Sequence, residues 1–450
     1  MYPKFGLLSS LLIAMMILMS TATGAGELSM NASAKALHAL FRAEWDYRME
    51  QNPTWASVLG DRRWNDRWPD LSLAAIRKRQ EHNIEALAKL KSIERRQLSR
   101  QDQLSYDLFQ KEYEIKIEQH QYGLYFIPLN QLGGIQTANE VADALRFETL
   151  KDYEDWTARL RALPVYMDQT IALMREGMST RIVLPKIILQ RVPAQIDKQI
   201  VEAPEASPFY KPFKQFSTLF STPDRERLVE SAKRAIASEV IPAYRRFKGF
   251  FVTKYIPASF DQVGAWQMTN GGPLYAFLAR KYTTTSLTPK EIHEIGLREV
   301  KRIRGEMEAI IDKVGFKGTF AEFLEFLRSD PRFYYKTPDE LLAAYQTLTR
   351  RIDPHLVKLF KTLPRMPYGV EPIPAAIAAD TTTAYYRSPA ADGSRAGTYF
   401  VNIYKPEVRP RYEMMALSLH EAVPGHHLQI ALAMEQDGLP NFRRYNRQSA

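Results

Sequence analysis

Three of the eight histidines in this 450-residue chain fall within eight positions, in His420-Glu421-Ala422-Val423-Pro424-Gly425-His426-His427. The flanks are apolar: Met414, Met415, Ala416, Leu417 and Leu419 before, Leu428, Ile430, Ala431 and Leu432 after. A helix with such flanks is expected to be buried on most sides. Three imidazoles and a carboxylate are costly there unless they pair, hydrogen-bond or hold a metal. The chain has no cysteine. Disulfides, thiol nucleophiles and Cys-based zinc sites are therefore excluded, and any metal falls to His, Asp or Glu.

The spacing departs from the H-E-x-x-H arrangement, in which two histidines one turn apart share a metal and the glutamate activates a bound water. Here the position four after His420 is Pro424. His427 shares the face of His420 but lies two turns on, roughly 10 Å along the axis. A straight helix brings neither His426 nor His427 onto the metal of His420. Pro424-Gly425 offers a break, because proline removes a helical hydrogen bond and glycine tolerates unusual dihedrals. If two residues loop out, His426 takes the place of the missing i+4 ligand. The competing reading is a set of hydrogen-bonded core histidines beside a proline kink.

The elements that must position these residues read as mainly helical. Apolar residues recur at helical spacing over 32–50, 71–117 with one or two breaks, 152–175, 224–253, 289–314, 338–363 and 411–437. Thr288-Pro289-Lys290-Glu291 and Thr337-Pro338-Asp339-Glu340 each place Thr at the cap, Pro first in the helix and Glu three residues after the cap. Thr222-Pro223-Asp224 is a weaker version. Thr381–Tyr386 and Thr398–Tyr404 are the strand signals, joined by a turn-rich link at 388–393. The expected fold is a large helical body with a small β element beside the metal-site helix, possessing a soft boundary within 203–273.

The ends and the charge add context. Lys4, an apolar run over 5–19 and small residues to Ala25 have the form of a secretory signal peptide, removed near 24–25. The run is short for a membrane span, and no later segment is long and apolar enough to span. The mature chain, 26–450, is expected to be exported, periplasmic or secreted. Lys and Arg exceed Asp and Glu by 61 to 51. The signs are interleaved and no nucleic-acid motif appears, so this reads as a solvated surface rather than a nucleic-acid face.

Several ordered blocks resemble the bacterial family catalogued as domain of unknown function 885, whose members look like metallopeptidases of the gluzincin type. The blocks are 420–429, Asp392-Gly393-Ser394-Arg395-Ala396-Gly397-Thr398-Tyr399 with Asn402, Gly272 through Gly296, and more weakly Arg175–Met178 with Leu184-Pro185. The resemblance implies a deep groove with zinc on its floor, held by His420 and His426 with His427 competing, and Glu421 as general base. It implies an edge strand, here Thr398–Tyr404, that pairs with a peptide or amide substrate. Arg395 would bind a substrate carboxylate, Tyr386 or Tyr399 would stabilise the oxyanion, and Asn402 of the same segment would also contact the substrate. Family members carry a third ligand, a Glu, on a later helix, in a Glu-Gly-Trp-Ala-like segment. No such segment occurs here, and Glu435 lies roughly 12 Å along the helix from His427. The chain thus reads as lacking its C-terminal part, with weak or absent hydrolysis expected. The alternative is an inactive relative that binds peptide or plays a structural role.

Overall fold

The computed structural model describes residues 31–379 and 381–445. The signal-peptide segment at 1–25 lies outside them. The described chain is mainly helical with one three-stranded sheet. Among these residues no helix is long and apolar enough to cross a membrane.

The principal helices are α1 (Ala32–Gln51), α2 (Pro53–Leu59), α3 (Leu73–Lys91), α4 (Arg100–His120), α5 (Leu150–Ser179), α6 (Thr222–Ala235), α7 (Ile241–Phe250), α8 (Gly271–Thr283), α9 (Pro289–Lys313), α10 (Phe320–Ser329), α11 (Pro338–Ile352), α12 (Arg411–Glu421) and α13 (His426–Met434). The sequence signs for helix starts act as expected at two sites. The Thr288 and Thr337 hydroxyls accept from the N–H groups of Glu291 and Glu340, whose carboxylates accept in return from the cap N–H groups. Thr319 and Glu322 form a third such box, and Thr149 and Asp152 a fourth. At the start of α6 the cap is Ser221 rather than Thr222, because the Ser221 hydroxyl reaches the Asp224 N–H.

Two expected helices are shorter than the apolar pattern suggests. The segment 338–363 leaves the α-helix at Ile352, where Asp353-Pro354 opens a 3-10 turn. The segment 411–437 is two helices, α12 and α13, separated by four residues.

The largest core cluster packs α5 against α6 and α7, with Trp156, Leu160, Leu163, Met167, Tyr244, Phe247 and Phe251 buried. Within it Arg159 is wholly buried and donates to the carbonyls of Arg67 and Trp64 and to the Ser57 hydroxyl. Charge burial of this kind is tolerated only with such partners. A second cluster joins α1, α3 and α4 through Leu37, Phe41, Leu90 and Phe109, and Phe442 closes it. A third lies between α11, the sheet and α12, around Leu341, Tyr345, Tyr399, Val401 and Met414.

The sheet consists of β1 (Tyr368–Pro372), β2 (Ala384–Arg387) and β3 (Gly397–Val401), in the order β1-β3-β2. β1 runs parallel to β3, with Val370 opposite Tyr399, and β2 runs antiparallel, with Tyr386 opposite Tyr399. β1 carries no strong sequence signal: it is five residues long, contains Gly369 and ends in Pro372. Its presence corrects the expectation that Thr398–Tyr404 forms an edge strand. β3 is the central strand, paired on both sides and buried at every residue, so its backbone has no free edge to offer a substrate.

Candidate metal centre

α12 ends at Glu421 and α13 begins at His426, and the turn between them folds His426 back beside His420. Gly425 makes this turn possible. A Cβ on it would fall 1.8 Å from the His420 carbonyl oxygen, closer than any side chain allows. The Ala422 carbonyl, released from the helix, accepts from the His427 N–H at 3.0 Å, and the Gly425 carbonyl starts α13 by accepting from Gln429. The break thus costs few backbone hydrogen bonds.

The rings of His420 and His426 meet edge to face with centroids 4.7 Å apart. Nε2 of His426 is 3.8 Å from a Glu421 carboxylate oxygen. One donor atom each from His420, Glu421 and His426 lies within 4.8 Å of the others. Glu421 is buried, whereas His420 is exposed and His426 half-buried. Burial pushes the Glu421 carboxyl above its ordinary range; His426 and His420, and the backbone N–H of Tyr386, oppose that shift. Alternation explains the N–H. The Asn402 N–H donates to the Thr383 carbonyl, so Thr383, Tyr385 and Arg387 face β3 and Tyr386 presents its backbone outward. The free edge beside the cluster therefore belongs to β2.

His427 stands outside the cluster. It is 2% exposed, and both ring nitrogens have protein partners. Nε2 lies 3.0 Å from the Met366 carbonyl and must donate to it, so Nδ1 accepts from the Tyr386 hydroxyl at 2.8 Å. Burial pushes its pKa down to about 4. This is the hydrogen-bonded core histidine that the sequence left open, and it applies to one of the three only.

The remaining expected site residues divide. Tyr386 lies at the site, its ring stacked on His426 with centroids 6.4 Å apart. Burial pushes its hydroxyl well above the ordinary range. Tyr399 is wholly buried in β3, edge-on to Tyr345, with its hydroxyl 3.4 Å from Ser418. It has no route to a substrate oxyanion. Asn402 donates to the carbonyls of Ala378 and Thr382 and accepts from the Tyr404 N–H, so its polar atoms bind the protein's own backbone. Arg395 lies in the 388–396 loop, half-buried, with Nη2 3.5 Å from the Val58 carbonyl. Glu435 accepts from the N–H groups of Arg365 and Met366 at 2.8 and 2.9 Å and is not among the clustered donors.

Sequence reasoning missed Met366 and Tyr368, which orient His427 through a carbonyl and a ring 4.7 Å away. Met366 lies 61 positions upstream of His427, and no local signal marks it.

Two imidazoles with no hydrogen bonds among the described residues, beside a buried carboxylate, suit a divalent ion that takes nitrogen and oxygen donors. Fold and site together define a helical protein with a histidine–carboxylate cluster at a broken helix. The chain belongs to the family of bacterial proteins of unknown function designated DUF885, whose pattern matches residues 53–450. Its fold is similar to that of a candidate lipoprotein from Colwellia psychrerythraea, with a TM-score of 0.82 and 21% identity, covering 92% of this chain and 75% of that one. A candidate lipoprotein of unknown function from Shewanella oneidensis is also similar, with a TM-score of 0.60 and 16% identity, covering 92% and 74%. No curated protein matches the sequence.

Proposed function

We propose that this protein is an exported zinc-dependent hydrolase of peptide or amide bonds. The observation that carries the reading is the convergence of His420, Glu421 and His426, with donor atoms within 4.8 Å. His420 and His426 would hold the ion, and zinc so bound supplies Lewis acidity to a carbonyl and lowers the pKa of water. Glu421 takes the proton of the attacking water and passes it to the leaving nitrogen. Burial raises its pKa, which makes it a stronger base than an exposed carboxylate. The Tyr386 hydroxyl is engaged with His427, so Tyr386 positions rather than reacts. The outward backbone edge of β2 takes over the strand-pairing role once expected of β3. The amino-terminal pattern and the resemblance in fold to candidate lipoproteins support export.

A second reading has its own support. Among the described residues no further carboxylate joins the cluster, and Glu421 cannot be both ligand and base. Two imidazoles alone hold zinc modestly, which favours an inactive, peptide-binding relative.

Zinc content and peptide hydrolysis, measured at saturating zinc for wild type and Glu421→Gln, separate the two. Zinc in both, with turnover only in wild type and a loss of roughly 10²–10⁴-fold in the variant, supports the hydrolase. Zinc in both without turnover supports the second reading, and absence of zinc overturns the first.

A further inference from the structure

A cavity of about 300 Å³ lies among α1, α3 and α4, and no residue of the metal centre lines it. Three cations, Arg48, Arg79 and Lys116, share its wall with one carboxylate, Glu112. All four side chains are half-buried. Arg48 makes a close contact with Glu112, and Lys116 lies 2.9 Å from it, so one acid serves two cations. Arg79 has no such partner. Among the described residues no carboxylate lies within 4 Å of it. Its Nη1 donates to the Asp70 carbonyl at 2.8 Å and reaches the Gln51 side-chain oxygen at 3.4 Å. Burial holds the Arg79 guanidinium and the Lys116 ammonium below their ordinary pKa ranges, although Glu112 opposes the shift at Lys116. Surplus positive charge in such a place costs free energy unless an anion joins it.

The neighbouring acid, Glu44, does not line the cavity and is already engaged. It is buried, accepts from the Tyr113 hydroxyl at 2.6 Å and meets Nε2 of His82 at 2.9 Å. The Tyr47 ring stacks on that imidazole with centroids 3.6 Å apart. Tyr47 is thus held as a flat wall of the cavity, and Trp55 of α2 supplies a second aromatic side chain. Aromatic walls with a few convergent charges are the make-up of small-molecule sites. The guanidinium fork of Arg79 matches two oxygens of a carboxylate or phosphate, and a planar ring packs well against Tyr47.

We propose that this cavity binds a small organic oxyanion carrying a planar ring, with its phosphate or carboxylate on Arg79 and Lys116 and its ring against Tyr47. Binding here needs neither zinc nor Glu421, so the site stands apart from the hydrolase reading.

The test is calorimetry on the full chain with phenyl phosphate, benzoate and the uncharged benzamide, with and without zinc. Either anion is expected to bind at least roughly tenfold tighter than benzamide, with the same affinity in both conditions and in Glu421→Gln. The tighter of the two anions identifies the ligand as a phosphate or a carboxylate. Arg79→Met should weaken the anion by roughly tenfold or more. Arg79→Lys, which keeps charge but not the fork, should fall between and serves if the Met variant does not fold. Three results overturn the proposal: no binding of either anion at millimolar concentration, an affinity unchanged in Arg79→Met, or binding that appears only with zinc. Failure of the hydrolase reading shows separately, as absence of turnover while the anion still binds.

Discussion

The Tyr386 hydroxyl donates to Nδ1 of His427 across 2.8 Å, and this bond ties β2 to the first turn of α13. It fixes His427 as the Nε2–H tautomer and holds the start of α13 in place. His426, the adjacent residue, is thereby set against His420. Outer contacts of this kind position metal ligands nearly as strictly as the ligands themselves.

Tyr386→Phe keeps the ring on His426 and deletes the donor. The expected outcome is a loss of about 1–2 kcal/mol in stability, from the buried Nδ1 left unmet. Zinc affinity should weaken by roughly tenfold. Thermal unfolding and competition with a chromophoric chelator check the two effects.

Gly425→Ala tests the turn between α12 and α13. The new Cβ meets the His420 carbonyl oxygen at 1.8 Å, so the turn must open. A stability loss of about 3 kcal/mol or more is expected, together with loss of the zinc site. Circular dichroism should still show a largely helical chain, because the first core cluster is far in sequence from the change.

Asn402→Ala separates structure from catalysis. Its side chain serves three backbone groups in a buried turn after β3. Stability should fall by about 2–4 kcal/mol, while zinc bound per folded molecule stays the same. A zinc deficit in folded protein would instead give Asn402 a place at the site.

The pH dependence of stability should report Glu112. Burial raises its carboxyl pKa, but Lys116 at 2.9 Å and a close contact from Arg48 outweigh burial and hold it below its ordinary range. The folded state therefore binds this proton less readily than the unfolded one. The contribution is present above the unfolded value of about 4.3 and is lost as pH falls through the folded value. Glu112→Gln should destabilise at pH 7 by about 2 kcal/mol, leaving Arg48 and Lys116 uncompensated. The variant should also show a flatter decline below pH 4.5 in urea unfolding.

Much of this protein was legible in its residues. Thr288 with Glu291 and Thr337 with Glu340 marked helix starts, because a cap is satisfied within four residues. Zero cysteine and the 420–427 segment confined any metal to His and Glu. Pro424-Gly425 pointed to a break, since both residues act on the backbone where they stand. Tertiary structure decided the rest. It set His426 beside His420 and Glu421, and surrounded His427 with Met366 and Tyr386, residues 61 and 41 positions away. It made β3 central by pairing it with β1, whose own sequence is a weak strand. It left Arg395 with an unmet donor while Arg62 and Arg146 found acids. The physical reason is one of range. Caps, breaks and ligand types are set by near neighbours, whereas strand order and the partner of a buried nitrogen depend on which distant segments the core brings together.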